Sequence, residues 1–169
     1  MAIELLVDYQ PNGPYTIQSG KHAGKALELL MFENHGLLAW MFQKGRGRTD
    51  KFSLHLAWLL RQGENLRPKM ICPQCHERPV AFFSVAYSQS GNDFMVSTTY
   101  TYCEICKKSV DTQTRPISLF SFRFSTLGQF RYNSRRKQIS DLFRQVYGLP
   151  KPLTRAAAFE FFNSIKGSA

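Results

Sequence analysis

Cys72-Pro-Gln-Cys75 and Cys103-Glu-Ile-Cys106 are the two stretches that decide the fold of this chain, and they contain all four of its cysteines. In each stretch two residues separate the sulfurs, so a single turn can present both thiolates to one point. Two such turns, or knuckles, supply the four ligands of a closed tetrahedral zinc site. Since no cysteine remains to act as a nucleophile or redox centre, we predict one structural Zn²⁺ ion held by Cys72, Cys75, Cys103 and Cys106.

Pairing of the same cysteines as disulfides, or a redox role, is the alternative to metal binding. Residues 1–8 carry two acidic side chains and no basic segment, unlike a secretory signal. No stretch approaches the roughly 18 uninterrupted apolar residues of a membrane span. We therefore expect a cytoplasmic protein without a membrane partner, whose thiols stay reduced. His76 directly follows Cys75, but four cysteines already satisfy the metal, so we expect His76 beside the site or in solvent.

The chain between the two cysteine pairs predicts a long β-hairpin. Residues 80–87 and 94–102 have the composition of strands, and residues 88–93 are rich in turn-forming types. A knuckle, a hairpin and a second knuckle follow one another in zinc ribbons. We therefore place a zinc ribbon at residues 67–114.

The flanking segments predict helices around this hairpin, and the predicted fold class is α+β. Residues 1–66 should form a small module of strands and helices, and residues 115–169 a basic segment of one strand and two helices. In the module we expect strands at 3–7 and 15–18 and helices at 26–33, 37–42 and 50–62, the last capped by Thr49 or Asp50 and ended by Gly63. In the basic segment we expect a strand at 117–125, a helix at 133–147 and a final helix after the N-cap Thr154. Helical spacing places one continuous apolar face on the helix 133–147, formed by Ile139, Leu142, Phe143, Val146 and Tyr147.

Three phenylalanines, Phe120, Phe122 and Phe124, alternate with polar residues along the predicted strand 117–125. This period of two places them on one face of a strand. Such a stripe usually packs into a core, which is the interpretation we favour. Stacking of single-stranded bases on the three rings is the alternative.

The formal net charge of +10 and the isoelectric point near 9.7 suit a polyanionic partner. The charge is +2 over residues 1–68, 0 over residues 69–114 and +8 over residues 115–169. We therefore expect a nucleic-acid partner, with DNA favoured over RNA.

The best candidate contact surface lies where the predicted helix 133–147 begins. Positive side chains are unfavourable at a helix N-terminus, so local stability does not explain them. A phosphate backbone would interact favourably with both the guanidinium groups and the helix dipole. A solvated polar face is the alternative. The candidate residues are Arg131, Tyr132, Arg135, Arg136 and Lys137, with Arg123 and Arg144 extending the surface.

Two loops of the N-terminal module also carry basic residues. Gly45-Arg-Gly-Arg48 is short and could follow a backbone through Arg46 and Arg48, although an ordinary loop has the same composition. Gly20-Lys-His-Ala-Gly-Lys25 is not a Walker phosphate loop, because Ala26 follows Gly24-Lys25 and the glycine spacing differs.

With the sequence around it, this second loop resembles the exodeoxyribonuclease X-like C-terminal domain. Residues 15–30 and 35–41 match its aromatic strand, G-K-x-x-G-K loop, leucine-rich helix and short helix ending near tryptophan. The resemblance covers about residues 13–62, and Ser19 stands where the family usually has an aromatic residue. The family is an accessory module often attached to 3′–5′ exonucleases. The resemblance therefore implies nucleic-acid contact for Lys21 and Lys25 and implies no catalysis.

The acidic residues do not form a catalytic motif. A two-metal nuclease needs several carboxylates around cations about 4 Å apart, whereas the twelve acids here are scattered singly. We predict a non-enzymatic accessory protein that binds zinc and nucleic acid. The main alternative is a protein-interaction subunit of a nucleoprotein complex in replication, transcription or CRISPR interference, or an inhibitor encoded by a mobile element. The third hypothesis is a nuclease whose carboxylates come together only in the folded protein.

Overall fold

The computed structural model describes residues 9–45, 48–90, 93–110, 117–130 and 133–164 of the chain. The fold within these ranges is α+β, as predicted, with six α-helices and a three-stranded antiparallel sheet. The predicted strand at 3–7 lies outside the described residues. The elements are α1 (Leu27–Glu33), α2 (His35–Lys44), α3 (Lys51–Asn65), β1 (Phe82–Ser90), β2 (Asp93–Tyr102), β3 (Ile117–Ser121), α4 (Phe124–Leu127), α5 (Asn133–Val146) and α6 (Arg155–Asn163).

The chain divides into two compact units. The first unit comprises Met1–Leu66, Arg123–Gln129 and Leu149–Ala169, and the second comprises Arg67–Phe122 and Phe130–Gly148. Both units therefore draw on the predicted C-terminal segment 115–169, because β3 and α5 belong to the second unit whereas α4 and α6 belong to the first. This assignment also redistributes charge: the second unit carries 11 basic and 5 acidic residues, a net +6, which leaves +4 for the first.

The first unit is built on helices whose apolar faces meet in one core. Leu27, Leu30 and Met31 recur at helical spacing on α1 and are fully buried. Phe32 contacts Phe124 of α4, with 5.1 Å between ring centroids, and contacts α6 through aromatic rings as well. Edge-to-face aromatic pairs of this kind stabilise a core beyond the area they bury.

Two helices begin at residues whose side chains accept a backbone hydrogen bond from the first turn, as N-caps do. The Ser53 N–H donates to the Asp50 carboxylate at 3.2 Å, which confirms Asp50 as the N-cap of α3. The Ala157 N–H donates to the Thr154 hydroxyl at 3.2 Å and starts α6 in the same way. The expectation that Gly63 ends α3 is wrong, because the helix continues to Asn65.

Gly63 has a packing role instead. A Cβ built on it would lie 2.6 Å from Met31 Cε and 3.3 Å from Phe124 Cβ. The absence of a side chain thus lets α3 approach α1 and α4 closely.

In the second unit the strand order is β2-β1-β3, with β1 in the centre. Phe82 pairs with Tyr102 on one side and with Ser121 on the other. The pairing of β1 with β2 shifts register between Ala86 and Tyr87, a bulge within the hairpin. The predicted hairpin is therefore confirmed, with a third strand added to it.

Aromatic rings form the core of this second unit. Phe83 of β1 lies 4.9 Å from Phe122 and 5.9 Å from Phe143 of α5, measured between ring centroids. Ile139, Phe143 and Val146 of α5 are fully buried, which confirms the predicted apolar face of this helix. The Tyr147 hydroxyl donates to the Phe122 carbonyl at 2.8 Å, so that the end of α5 is tied to the chain beyond β3.

The strand predicted at 117–125 is shorter than expected, because β3 ends at Ser121. Phe122 still donates its N–H to the Ala81 carbonyl at 2.9 Å, but Phe124 begins α4 in the first unit. Both rings are buried, so the expected core placement is confirmed for them. In the part of the chain that the structure describes, no helix combines the length and apolarity needed to cross a membrane.

Gly63→Ala should lower the stability of the first unit. Overpacking against Met31 and Phe124 outweighs the gain in helix propensity, for a net loss of about 1 kcal/mol. The measurement is urea unfolding followed by tryptophan fluorescence, because Trp40 and Trp58, the two tryptophans of the chain, both lie in this unit. The matched control is Gly36→Ala, whose Cβ would meet nothing closer than 3.7 Å and should leave stability equal or higher. Equal destabilisation by both substitutions would contradict the packing role of Gly63.

Candidate metal centre

The first knuckle is a tight turn held by backbone hydrogen bonds. The Cys72 N–H donates to the Arg78 carbonyl at 2.8 Å, and the His76 N–H donates to the Cys72 carbonyl at 2.9 Å. His76 adopts a φ of 57°, in the left-handed region that favours glycine. Its side chain is exposed and does not belong to the cysteine cluster, as the sequence predicted.

The second knuckle follows directly on β2. The Lys107 N–H donates to the Cys103 carbonyl at 3.0 Å, and the Cys106 N–H donates to the Cys103 sulfur at 3.4 Å. A short 3₁₀ turn, Cys106–Ser109, completes the knuckle. The Lys107 ammonium group lies 3.7 Å above the centroid of the Phe82 ring, which anchors this turn to the first residue of β1.

The four sulfurs converge at the open end of the hairpin. All four lie within 4.8 Å of one another, and the sulfurs of Cys75 and Cys103 are 3.8 Å apart. A tetrahedral ion with metal–sulfur bonds of about 2.3 Å places its ligand atoms about 3.8 Å apart. Cys72 and Cys103 are buried, and Cys75 and Cys106 are half-buried. The predicted cluster of four cysteines is therefore confirmed, and its geometry is compatible with a bound metal ion.

The electrostatics of the cluster favour a cation. Burial raises the pKa of Cys72, but hydrogen bonds from the backbone of Cys75, Gln74 and Cys103 outweigh it and lower the pKa to about 6. Hydrogen bonding to Cys103 raises the pKa of Cys106 to about 12. The opposite directions of these two pKa shifts reflect the close spacing of the sulfurs, because neighbouring thiolates repel each other. A dication removes the conflict, since it binds all four as thiolates.

The sheet and α5 hold the two knuckles in position. The Ala81 N–H donates to the Tyr102 carbonyl at 2.7 Å, one residue before Cys103, so β1 and β2 set the distance between the knuckles. The backbone N–H groups of Lys69 and Met70 both donate to the Val146 carbonyl at the end of α5, at 3.0 and 3.1 Å. The first knuckle is therefore attached to α5 by a segment only a few residues long.

The described residues among the predicted nucleic-acid contacts are divided between the two units. Lys21, Lys25, Arg48 and Arg123 are exposed in the first unit, whereas Arg136, Lys137 and Arg144 lie on α5 in the second. Several are engaged within the protein: Lys25 contacts Glu33 at 3.2 Å, Arg48 contacts Asp50 at 2.9 Å, and Arg144 contacts Asp141 at 3.7 Å. Arg46, Arg131 and Tyr132 lie outside the described residues, as does the side chain of Arg135.

Two of the α5 side chains differ in how they are held. The Arg136 guanidinium donates through Nε to the Phe130 carbonyl at 3.2 Å and is half-buried. Lys137 is exposed. Arg136 therefore contributes to the fold of the second unit, while Lys137 is oriented toward solvent.

Sequence reasoning missed a buried ionisable pair in the first unit. Glu28 and His55 are almost fully buried, and His55 Nε2 lies 2.6 Å from Glu28 Oε1. The same carboxylate oxygen accepts the Tyr15 N–H at 3.2 Å, and the Tyr9 hydroxyl lies 3.3 Å from His55 Nδ1. Burial, with smaller effects of Tyr15 and Glu28, raises the pKa of Tyr9 above its usual value of 10.0, so the phenol stays protonated and can donate. The sequence signal was an acid on the apolar face of α1, between Leu27 and Leu30.

No known protein family, curated protein or solved structure matches this chain.

Cys103→Ser should abolish tight metal binding and unfold the second unit. A buried hydroxyl replaces a thiolate ligand, and structural zinc contributes about 10 kcal/mol or more to the folding of small zinc domains. The measurement is metal content per chain by elemental analysis, together with circular dichroism of the same sample. The matched control is His76→Gly, which suits the positive φ of this position and should retain the metal. Full metal content in the cysteine variant, or its loss in the control, would contradict the assigned ligands.

Glu28→Leu should destabilise the first unit by about 3 kcal/mol, because it leaves His55 buried without its partner. The double variant Glu28→Leu/His55→Leu should recover part of this loss, since it removes both polar groups. Urea unfolding followed by fluorescence of Trp58, whose ring centroid lies 5.2 Å from that of His55, reports on this region. With the single variant His55→Leu measured as well, a double-variant loss equal to the sum of the two single losses would show that the pair is not coupled.

Proposed function

We propose that this protein is a non-catalytic accessory protein in which one Zn²⁺ ion stabilises a unit that contacts the phosphate backbone of nucleic acid. The observation that carries the proposal is the charge of the second unit, a net +6 in sequence. Four thiolates and one Zn²⁺ ion would lower this to about +4. The unit therefore remains cationic with its metal bound.

The distribution of these charges supports contact with phosphate. Lys137 lies on the outer face of α5, opposite the buried side chains Ile139 and Phe143. Exposed basic residues also occur around the knuckles, and the segment just before the first knuckle is bonded to the Val146 carbonyl of α5. Phosphate contacts of this kind give affinity with little sequence selectivity. The exposed basic side chains near the knuckles are Arg67, Lys69, Arg78 and Lys108.

The zinc assignment rests on the donor set. Four cysteine sulfurs in a tetrahedral arrangement are typical of zinc, whereas carboxylate and carbonyl ligands suit magnesium or calcium. A site closed by four protein ligands leaves no position for a substrate. In this proposal the ion is structural and joins the two ends of the hairpin.

We further propose that residues 13–62 form an exonuclease X-like accessory module. The described geometry of the loop supports this: Gly20 and Gly24 both have φ of 82°, and the Gly24 N–H donates to the Ile17 carbonyl at 2.8 Å. The turn exposes Lys21 and Lys25 just before α1. In this proposal the module assists in binding and has no catalytic role.

A protein-interaction role is favoured by one separate observation. Ile71 and Ile105 belong to the two knuckles and are 48% and 51% exposed. Apolar side chains at such positions are typical of contacts with another protein. Ile71→Ser/Ile105→Ser should then abolish capture of a partner from the native host while leaving nucleic-acid affinity unchanged.

Arg135→Ala/Lys137→Ala should weaken nucleic-acid binding for all sequences alike. The loss of two cations should also reduce the salt dependence of binding, with the slope of log affinity against log salt falling by about two. Arg136 is kept because its guanidinium supports Phe130. Fluorescence anisotropy with labelled DNA over a range of salt concentrations measures both quantities.

The matched control for this experiment is Gln138→Ala/Gln145→Ala, which changes two exposed neutral side chains of the same helix. It should leave both affinity and slope unchanged. A wild-type affinity that does not vary with salt would contradict phosphate contact, and so would an unchanged slope in the arginine–lysine variant.

A further inference from the structure

Two open grooves adjoin each other on the first unit, and Tyr15 and Gln18 line both of them. The larger has a volume of about 670 Å³ and is lined also by Tyr9, Lys51 and His55. The smaller has a volume of about 410 Å³ and is lined also by Trp40, Lys44 and Phe52. Among the described residues that line the two grooves, none belongs to the metal centre or to α5.

Aromatic side chains line the grooves and remain accessible. Trp40 of α2 is 54% exposed, although Leu38 of the same helix is fully buried. An exposed tryptophan presents a large, flat aromatic surface on which a planar ligand can stack. Tyr15 and Phe52 are half-buried and contact each other edge to face, with 5.7 Å between ring centroids. Aromatic surface is thus available at several points along the grooves.

Positive charges alternate with these rings. Lys44 follows Trp40 by one helical turn, and Lys51 is the first residue of α3; both are exposed. Arg48 is also exposed and contacts Asp50 at 2.9 Å, the one acidic side chain among the described residues that line these grooves. Cations interleaved with aromatic rings are complementary to a chain of phosphates that bears planar bases.

The buried Glu28–His55 pair fixes the wall that the two grooves share. Glu28 accepts the Tyr15 backbone N–H, and the Tyr9 hydroxyl contacts His55. Because these bonds hold Tyr9 and Tyr15 before any ligand arrives, less conformational entropy is lost on binding. A buried ionisable pair is costly for stability alone, and this positioning role accounts for its presence.

We propose that these grooves bind single-stranded nucleic acid, with a base stacked on Trp40 and phosphates contacted by Lys44 and Lys51. The proposal rests on the proposed function and adds to it a second contact site, on the first unit, and a preference for single strands. A duplex has its bases stacked on each other, so only an unpaired strand can place a base against Trp40.

The test uses the whole 169-residue chain carrying Trp58→Phe, in which Trp40 is the one remaining tryptophan. Trp58 is buried and lines neither groove, Phe keeps an aromatic ring there, and circular dichroism checks that the variant folds. Addition of oligo(dT), or of oligo(rU) of equal length, should quench the Trp40 fluorescence to saturation. A duplex of the same length should quench it much less. The two single-stranded probes distinguish DNA from RNA as the tighter ligand.

Substitutions then identify the contacts. Trp40→Ala should weaken oligo(dT) binding by about tenfold or more, as loss of one stacked base does, and Trp40→Phe should restore much of the affinity. Lys44→Ala/Lys51→Ala should lower the salt dependence. Gln43→Ala, a neutral change at an exposed position outside both grooves, is the control and should bind as tightly as the wild type.

The outcomes separate this inference from the function on which it rests. If Trp40 is not quenched and Trp40→Ala binds normally, while Arg135→Ala/Lys137→Ala binds weakly, the grooves are not the site and the proposed function stands. If the wild-type protein binds neither single strands nor duplex, both proposals are wrong. Saturating, salt-sensitive quenching of Trp40 supports the grooves as the site, provided that the oligo(dT) affinity measured by fluorescence anisotropy is lowered by Trp40→Ala and largely restored by Trp40→Phe.

Discussion

The convergence of four sulfurs at one end of a hairpin is the constraint on which the second unit depends. Each knuckle is a local turn, but the two sulfur pairs meet only because β1 and β2 pair in the register that places Phe82 opposite Tyr102. A metal bound there would in turn hold the ends of both strands together. Just before the first knuckle, Lys69 and Met70 donate to the Val146 carbonyl at the end of α5. The position of α5 therefore also depends on how the sulfurs converge.

The two units are stabilised by different interactions. The first buries helix faces around Phe32 and Phe124 and tolerates a buried Glu28–His55 pair. The second has an aromatic core around Phe83 and contains all four cysteines. A structural metal commonly supplements a small core, and the proposed zinc ion would have that role in this unit.

The features that were predicted correctly from the sequence are those that depend on local signals. The cysteine spacing, the Asp50 and Thr154 caps and the apolar face of α5 each involve residues within a few positions of one another. Non-local features were missed. Glu28 and His55 are 27 positions apart, and no periodicity links them. From its local sequence Gly63 was expected to end α3, yet its role is to allow close packing against Met31 and Phe124. The end of β3 at Ser121 is likewise set by the division of the chain into two units. Packing places one part of the basic C-terminal segment in each unit, and counting charges along the sequence does not reveal this division.

In the proposed metal centre all four cysteine sulfurs bind one zinc ion. Zinc K-edge X-ray absorption on the reduced, purified protein measures the number and kind of these ligands. A single shell of four sulfur atoms at about 2.3 Å from zinc is expected. Nitrogen or oxygen atoms in the first coordination shell, fewer than four sulfurs, or folded protein without zinc would contradict it.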